Sequence, residues 1–231
     1  MAGERQMTDK GLTLFLIGSH YTFSPTLFER AAIEFPMRQR SWLTGVGRTS
    51  MDIYRVLDTA DNGERTVLLS GVARVVCVDF AKGIAVPFPD AAKQHTSLLP
   101  STASCRFPFV EVPESAPSGS FLTSVKVRYN DIDFNWHSNQ ASYTAFALEA
   151  AAEAAATGFF SGIRDDIAFY RARSLTCIHL GESFVGDELI VSAWEDAGCA
   201  SLLHFLITRQ HRKICYIKIE FDTRNTVASK L

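Results

Sequence analysis

Val127–Tyr143 reads VRYNDIDFNWHSNQASY and joins two segments of opposite character. On its N-terminal side, Phe121–Tyr129 is rich in β-forming residues. There Val125 and Val127 alternate with Lys126 and Arg128, the period of a half-buried strand. On its C-terminal side, Ala141–Thr157 contains nine alanines and neither glycine nor proline, which predicts a helix that stops at Gly158. Between them, Asn130–Gln140 packs two acids, one histidine and several amides into eleven residues. A polar turn from strand to helix suits carbonyl chemistry. The free N–H groups of a helix start, here from about Asn139 to Tyr143, and the helix dipole can polarise a carbonyl or hold an oxyanion. A carboxylate or imidazole beside them can deprotonate water.

The pattern continues outward on both sides. After the helix come a strand over Phe169–Leu180, Gly186 before DELIVSAWED, a turn at Gly198, a strand over Ser201–Thr208 and a turn at Gln210–Arg212. In the last run, Lys213–Phe221, residues Cys215, Ile217, Ile219 and Phe221 share one face, with Lys218 and Glu220 on the other. The order is strand, helix, four strands. The short alanine side chains let a sheet curl close around the helix. The first half has a similar distal part. Gly47 precedes RTSMDIYRVL, Asp61-Asn62-Gly63-Glu64 is a hairpin signal, and the run Thr66–Asp79 follows, with Gly71 as a bulge candidate. A helix is expected over Pro25–Phe35, opened by Ser24 as N-cap with Pro25 in the first position. Only Pro36–Val46 separates it from Gly47, so either this helix is truncated or Ile33–Trp42 is already a strand.

Six of the eight prolines fall between Val86 and Ser120, where they disfavour regular structure and mark a linker. The expected organisation is a degenerate first module over 1–90, a Pro/Ser-rich linker over 91–120 and a second module over 121–231. A formal net charge of -2 and no basic stripe argue against a nucleic-acid partner. The five cysteines form no CxxC pair and are odd in number, so neither a disulfide framework nor a zinc site is expected. No apolar run reaches the length of a membrane span. The opening MAGERQMTDKG lacks the apolar core of a signal peptide, so a cytoplasmic location is the expectation.

Asp133-Phe134-Asn135-Trp136-His137-Ser138-Asn139, with Arg128–Asp131 before it and Tyr143 after it, resembles the D-x-N-x-H-x-N-N pattern of plant and bacterial acyl-ACP thioesterases. It also resembles the looser Asp-based signature of 4-hydroxybenzoyl-CoA-type thioesterases. Both are hotdog-fold families, and the acyl-ACP enzymes carry two hotdog modules in one chain. The likeness covers most of Val67–Asp90 and Phe121–Phe221 and is weak before Gly47. It implies an α+β double hotdog: two antiparallel sheets, each curled around a central helix, with the first module degenerate. It implies hydrolysis of an acyl thioester on CoA or acyl carrier protein, with no metal or other cofactor and a possible homodimer.

By this resemblance Asp133 is the catalytic carboxylate, as base on water or as nucleophile. Asn135 and His137 position water and substrate. Asn139 matches the helix-start residue, and Gln140 stands where the family has a second Asn. Trp136 replaces a smaller side chain and reshapes the pocket, while Tyr143 lines it. The family's Glu-Cys pair falls on Phe184 and Val185 here, with Glu182 two residues earlier on the same strand face. Asp131 reads as a turn-tying acid, and Glu149 and Glu153 as a solvated helix face, with Glu149 held in reserve for the site. Two alternatives stay open. One is a hotdog dehydratase or hydratase that moves a proton without cleaving the thioester. The other is a non-catalytic acyl-binding module.

Overall fold

The computed structural model describes residues 11–29, 36–61, 64–89, 105–133 and 135–223. The chain divides into two compact units, Met1–Phe109 and Val110–Leu231.

In the second unit, β6 (Phe121–Lys126) leads through a polar turn into α1 (Gln140–Ala156). Four strands follow: β7 (Arg171–His179), β8 (Glu188–Asp196), β9 (Cys199–Arg209) and β10 (Arg212–Asp222). They pair antiparallel in the order β7-β10-β9-β8-β6. The helix buries Tyr143, Phe146, Ala147, Ala150, Ala151, Ala154 and Ala155. These recur at the i, i+3, i+4, i+7 spacing of a single face. That face packs against Leu189 and Val191 of β8, Leu203, Phe205 and Ile207 of β9, and Cys215, Ile217 and Ile219 of β10. Four of the alanines are fully buried, so the sheet lies a methyl group away from the helix backbone. Asn139 caps the start, its side chain accepting the Ala141 N–H. Gly158, at φ 69°, ends the helix in the left-handed conformation that a side chain resists. One helix within a large antiparallel sheet is the hotdog-type arrangement.

In the first unit, β1 (Leu12–Phe23), β2 (Met37–Val46), β3 (Ser50–Asp61) and β4 (Glu64–Asp79) pair antiparallel in the order β2-β3-β4-β1, with the short β5 (Ile84–Ala85) on β4. The register Asp61↔Glu64 closes the β3–β4 hairpin. The Asn62-Gly63 pair expected there lies outside the described residues. Of the expected helix Pro25–Phe35, the described part is a 3-10 turn over Pro25–Phe28, capped by Ser24 as anticipated; the rest lies outside the described residues. The strand reading of Ile33–Trp42 holds for its second part, since β2 begins at Met37.

Gly71 is not a bulge. Its register runs unbroken to Tyr21 on one side and Arg55 on the other, and the shift in β4 falls between Val67 and Leu69. A Cβ at Gly71 would lie 2.3 Å from the Tyr21 ring and 2.4 Å from the His20 carbonyl oxygen. The glycine is required by a neighbour's ring, not by a kink. A bidentate ion pair fixes the end of this unit: Arg74 Nε and a terminal N–H reach the Asp52 carboxylate at 2.7 and 2.9 Å, and Asp52 also accepts the Phe107 N–H.

Candidate active site at the β6–α1 junction

The turn between β6 and α1 is tied largely through its own acids. Asp131 takes the Arg128 N–H on its carboxylate at 2.7 Å, and its carbonyl accepts both the Asn139 N–H and the Ser142 hydroxyl. It is the structural acid expected. Asp133 is tied three ways. Its Oδ1 accepts the Asn135 N–H at 2.8 Å, its carbonyl accepts the Trp136 N–H at 3.0 Å, and its N–H donates to the His137 carbonyl at 2.9 Å. The loop closes as an Asx turn, the local bond that Asp makes more readily than most residues. Closure places Trp136 at φ 64°, an uncommon conformation for a bulky side chain.

Tyr129, Ile132, Asp133 and Trp136 line a pocket of about 300 Å³. The Trp136 indole is exposed and meets the Tyr129 ring edge-on at 6.4 Å. His137 is partly buried. Its Nδ1 lies 3.4 Å from Glu182 Oε1, and its ring stands perpendicular to Phe184 at 5.2 Å. Glu182 thus reaches the histidine of the motif from the β7–β8 connection. Phe184 is held in turn: its N–H donates to Asp187, which pairs with Arg209 at 2.5 Å, and Arg209 lies over the Phe184 ring. Asp187 titrates below the usual carboxylate range. Burial opposes this, but Arg209 and the Phe184 N–H outweigh it.

The helix-start donors are fewer than the sequence implies. The Asn139 N–H is taken by Asp131 at 2.7 Å and the Ala141 N–H by Asn139 Oδ1 at 2.9 Å. Among the described residues this leaves the Gln140 N–H as the first-turn amide without an acceptor. Asn139 spends its side-chain oxygen on the cap. Asn135 and Gln140 are exposed.

Tyr143 lies beneath the junction, 3% exposed, with its hydroxyl 3.0 Å from Ser183 Oγ. Burial pushes its pKa up, against hydrogen bonds from Ser183 and Ser138. Ser183 Oγ also meets Ser138 Oγ at 2.6 Å, and the Ser138 N–H donates to the Ser183 carbonyl at 2.8 Å. Sequence reasoning passed over this pair. It straps the residue after His137 to the residue after Glu182, and only the folded register reveals it. Glu149 and Glu153 are exposed on α1, in keeping with a solvated face.

Residues 114–159 match the family model of the acyl-ACP thioesterase C-terminal domain, a span that includes β6, the whole turn and all of α1. In fold, the chain is similar to the 12:0-ACP thioesterase from Umbellularia californica, with a TM-score of 0.71 at 14% identity over 95% of this chain and 79% of that one. It is similar also to an acyl-ACP thioesterase from Bacteroides thetaiotaomicron, with a TM-score of 0.67 at 15% identity over 95% and 81%. At such identities the likeness concerns the fold. No curated protein matches in sequence. The resemblance first seen in the motif is thus present both in the sequence around it and in the fold.

Proposed function

We propose that this chain hydrolyses an acyl thioester, carried on CoA or on acyl carrier protein, at the β6–α1 junction of a double hotdog. Thioester hydrolysis is the activity that the family match and the fold neighbours support. The observation that carries the assignment of residues is the Asp133 carboxylate. It lines a pocket while one of its oxygens is held by its own turn, and the His137–Glu182 pair lies in the same junction.

With Oδ1 held, the other oxygen of Asp133 is the one that can accept a proton. In this reading it takes a proton from water, and the water oxygen attacks the thioester carbonyl carbon. The carbonyl oxygen gains charge and turns to the Gln140 N–H at the positive end of the helix. His137, with Glu182 behind it, orients the water and stabilises the charge shift. The tetrahedral centre then collapses, the carbon–sulfur bond breaks, and the leaving thiolate takes the proton held by Asp133, which restores the carboxylate. Asn135 and Asn139 shape the turn, Trp136 and Tyr129 wall the pocket, and Tyr143 supports it from below.

Asp133→Asn keeps an acceptor for the Asn135 N–H and removes the base. His137→Ala removes the imidazole. Each should lower kcat by about 10²–10⁴-fold while circular dichroism stays that of the wild type. The assay is release of free thiol from a panel of acyl-CoA and acyl-ACP substrates. Thiol release also separates hydrolysis from a dehydratase, which leaves the thioester intact. Wild-type turnover in both variants would reject the assignment.

A further inference from the structure

Cys177 and His179 lie two apart on β7, and Cys215 of β10 stands opposite His179 in the register. Alternation places all three side chains on one face of the sheet, the face toward α1, where the His179 ring meets the Tyr143 ring at 5.9 Å. The two Sγ atoms are 3.3 Å apart. His179 Nδ1 lies 4.0 Å from the Cys177 sulfur and 3.9 Å from that of Cys215. A point equidistant from these three atoms lies about 2.2 Å from each, between the ordinary zinc–nitrogen and zinc–sulfur bond lengths. The three donor atoms are thus close enough together for one ion to reach all of them without a large movement of the strands.

We propose that Cys177, His179 and Cys215 bind a thiophilic d10 cation, Cu⁺ or Zn²⁺. Two thiolates and one imidazole are the donors such ions select over oxygen ligands. The donors stand on two paired strands rather than on loops, so little ordering is needed on binding. Both thiols are buried, which keeps competing water away, and the partly exposed His179 leaves a path for entry. Three donors suit three-coordinate Cu⁺ directly, whereas Zn²⁺ would take a water as fourth ligand. Binding releases the thiol protons and breaks no other bond. The site is separate from the Asp133 chemistry, although Tyr143 touches both regions.

The test uses the full chain in a Cys105→Ser, Cys199→Ser background, which removes the two exposed thiols. The protein is kept anaerobic with a non-thiol reductant and titrated with Cu⁺ or Zn²⁺ against a competing chelator, with Mg²⁺ as control. One equivalent of a thiophilic ion should bind, with thiolate-to-metal absorption in the ultraviolet. Cys215→Ser should abolish that absorption. His179→Ala removes a less buried donor and spares the core. As a direct ligand it should weaken binding by at least the roughly 10–100-fold that losing an outer-sphere partner costs. No binding of either ion above the Mg²⁺ control, or affinity unchanged in His179→Ala, would overturn the proposal.

Discussion

Glu182→Gln is the variant that most directly tests how the junction works. The structure sets its magnitude. His137 Nδ1 and Glu182 Oε1 are 3.4 Å apart, with the two side chains 29% and 49% exposed. At that separation a full charge pair is worth about 1.2 kcal/mol at the dielectric of water and about 5 kcal/mol at an effective dielectric of 20. The exposure of both groups places the pair near the lower figure. One rate decade corresponds to about 1.4 kcal/mol, so if the imidazole gains positive charge on the way to the transition state, losing the carboxylate should lower kcat about tenfold. Glutamine keeps the shape and an acceptor oxygen, so KM should change little. In the His137→Ala background the same substitution should cost almost nothing, because there is no imidazole left to stabilise. The loss should also shrink as salt screens the pair. Thiol release at saturating substrate, in all four members of the cycle, measures these quantities. Wild-type kcat in Glu182→Gln at low salt, or an equal loss with and without His137, would refute the coupling.

Two further predictions concern stability. His204 is buried on the sheet between Trp194 and Tyr216, bonded to the Tyr216 hydroxyl at 2.7 Å and to Asp196 at 3.0 Å, with Lys218 nearby. Burial first, then Lys218, lowers its pKa below the ordinary 6.5, and Asp196 only partly opposes them. The unfolded chain therefore binds the proton more readily. Stability is full above the unfolded value and is lost as pH falls through the folded one. The urea midpoint should drop below about pH 6.5, and His204→Gln should flatten that drop; a parallel drop in the variant would refute the assignment. Gly71→Ala pushes a methyl group into the Tyr21 ring and the His20 carbonyl and should cost about 1–3 kcal/mol in urea unfolding. An unchanged midpoint would show that β1 yields freely.

The strand, turn and helix around Asp133 were legible because each has a local cause: alternation in Phe121–Lys126, alanine propensity in Gln140–Ala156, and polar turn chemistry between them. Gly71 was misread for the opposite reason. Its cause is Tyr21, fifty residues away in sequence and adjacent only through the β1–β4 register. The same holds for the Ser138–Ser183 strap and for the cluster of Cys177, His179 and Cys215. In a sequence, a metal site shows through closely spaced pairs such as CxxC. Two strands of a sheet bring donors together without any such spacing. Glu182 lies between these cases. Its spacing from Phe184 marked it on the expectation of a strand there; β7 in fact ends at His179, and the β7–β8 connection is what brings Glu182 to His137.

The turn at Asp133 also limits which variants can be informative. The carboxylate assigned as base accepts the Asn135 N–H, and the same residue's carbonyl and N–H close the loop to Trp136 and His137. Those bonds, each worth about 1 kcal/mol net, hold Trp136 in a left-handed conformation that costs roughly 1–2 kcal/mol. The margin is narrow. An alanine at position 133 would remove the base and the Asx turn together, so lost activity would not separate chemistry from a loop that has opened. Asparagine keeps the turn and removes only the charge and the proton acceptor. A carboxylate built into the bond that shapes its own turn cannot swing away, and for the same reason its proposed role as base can be isolated only by a substitution that keeps the bond.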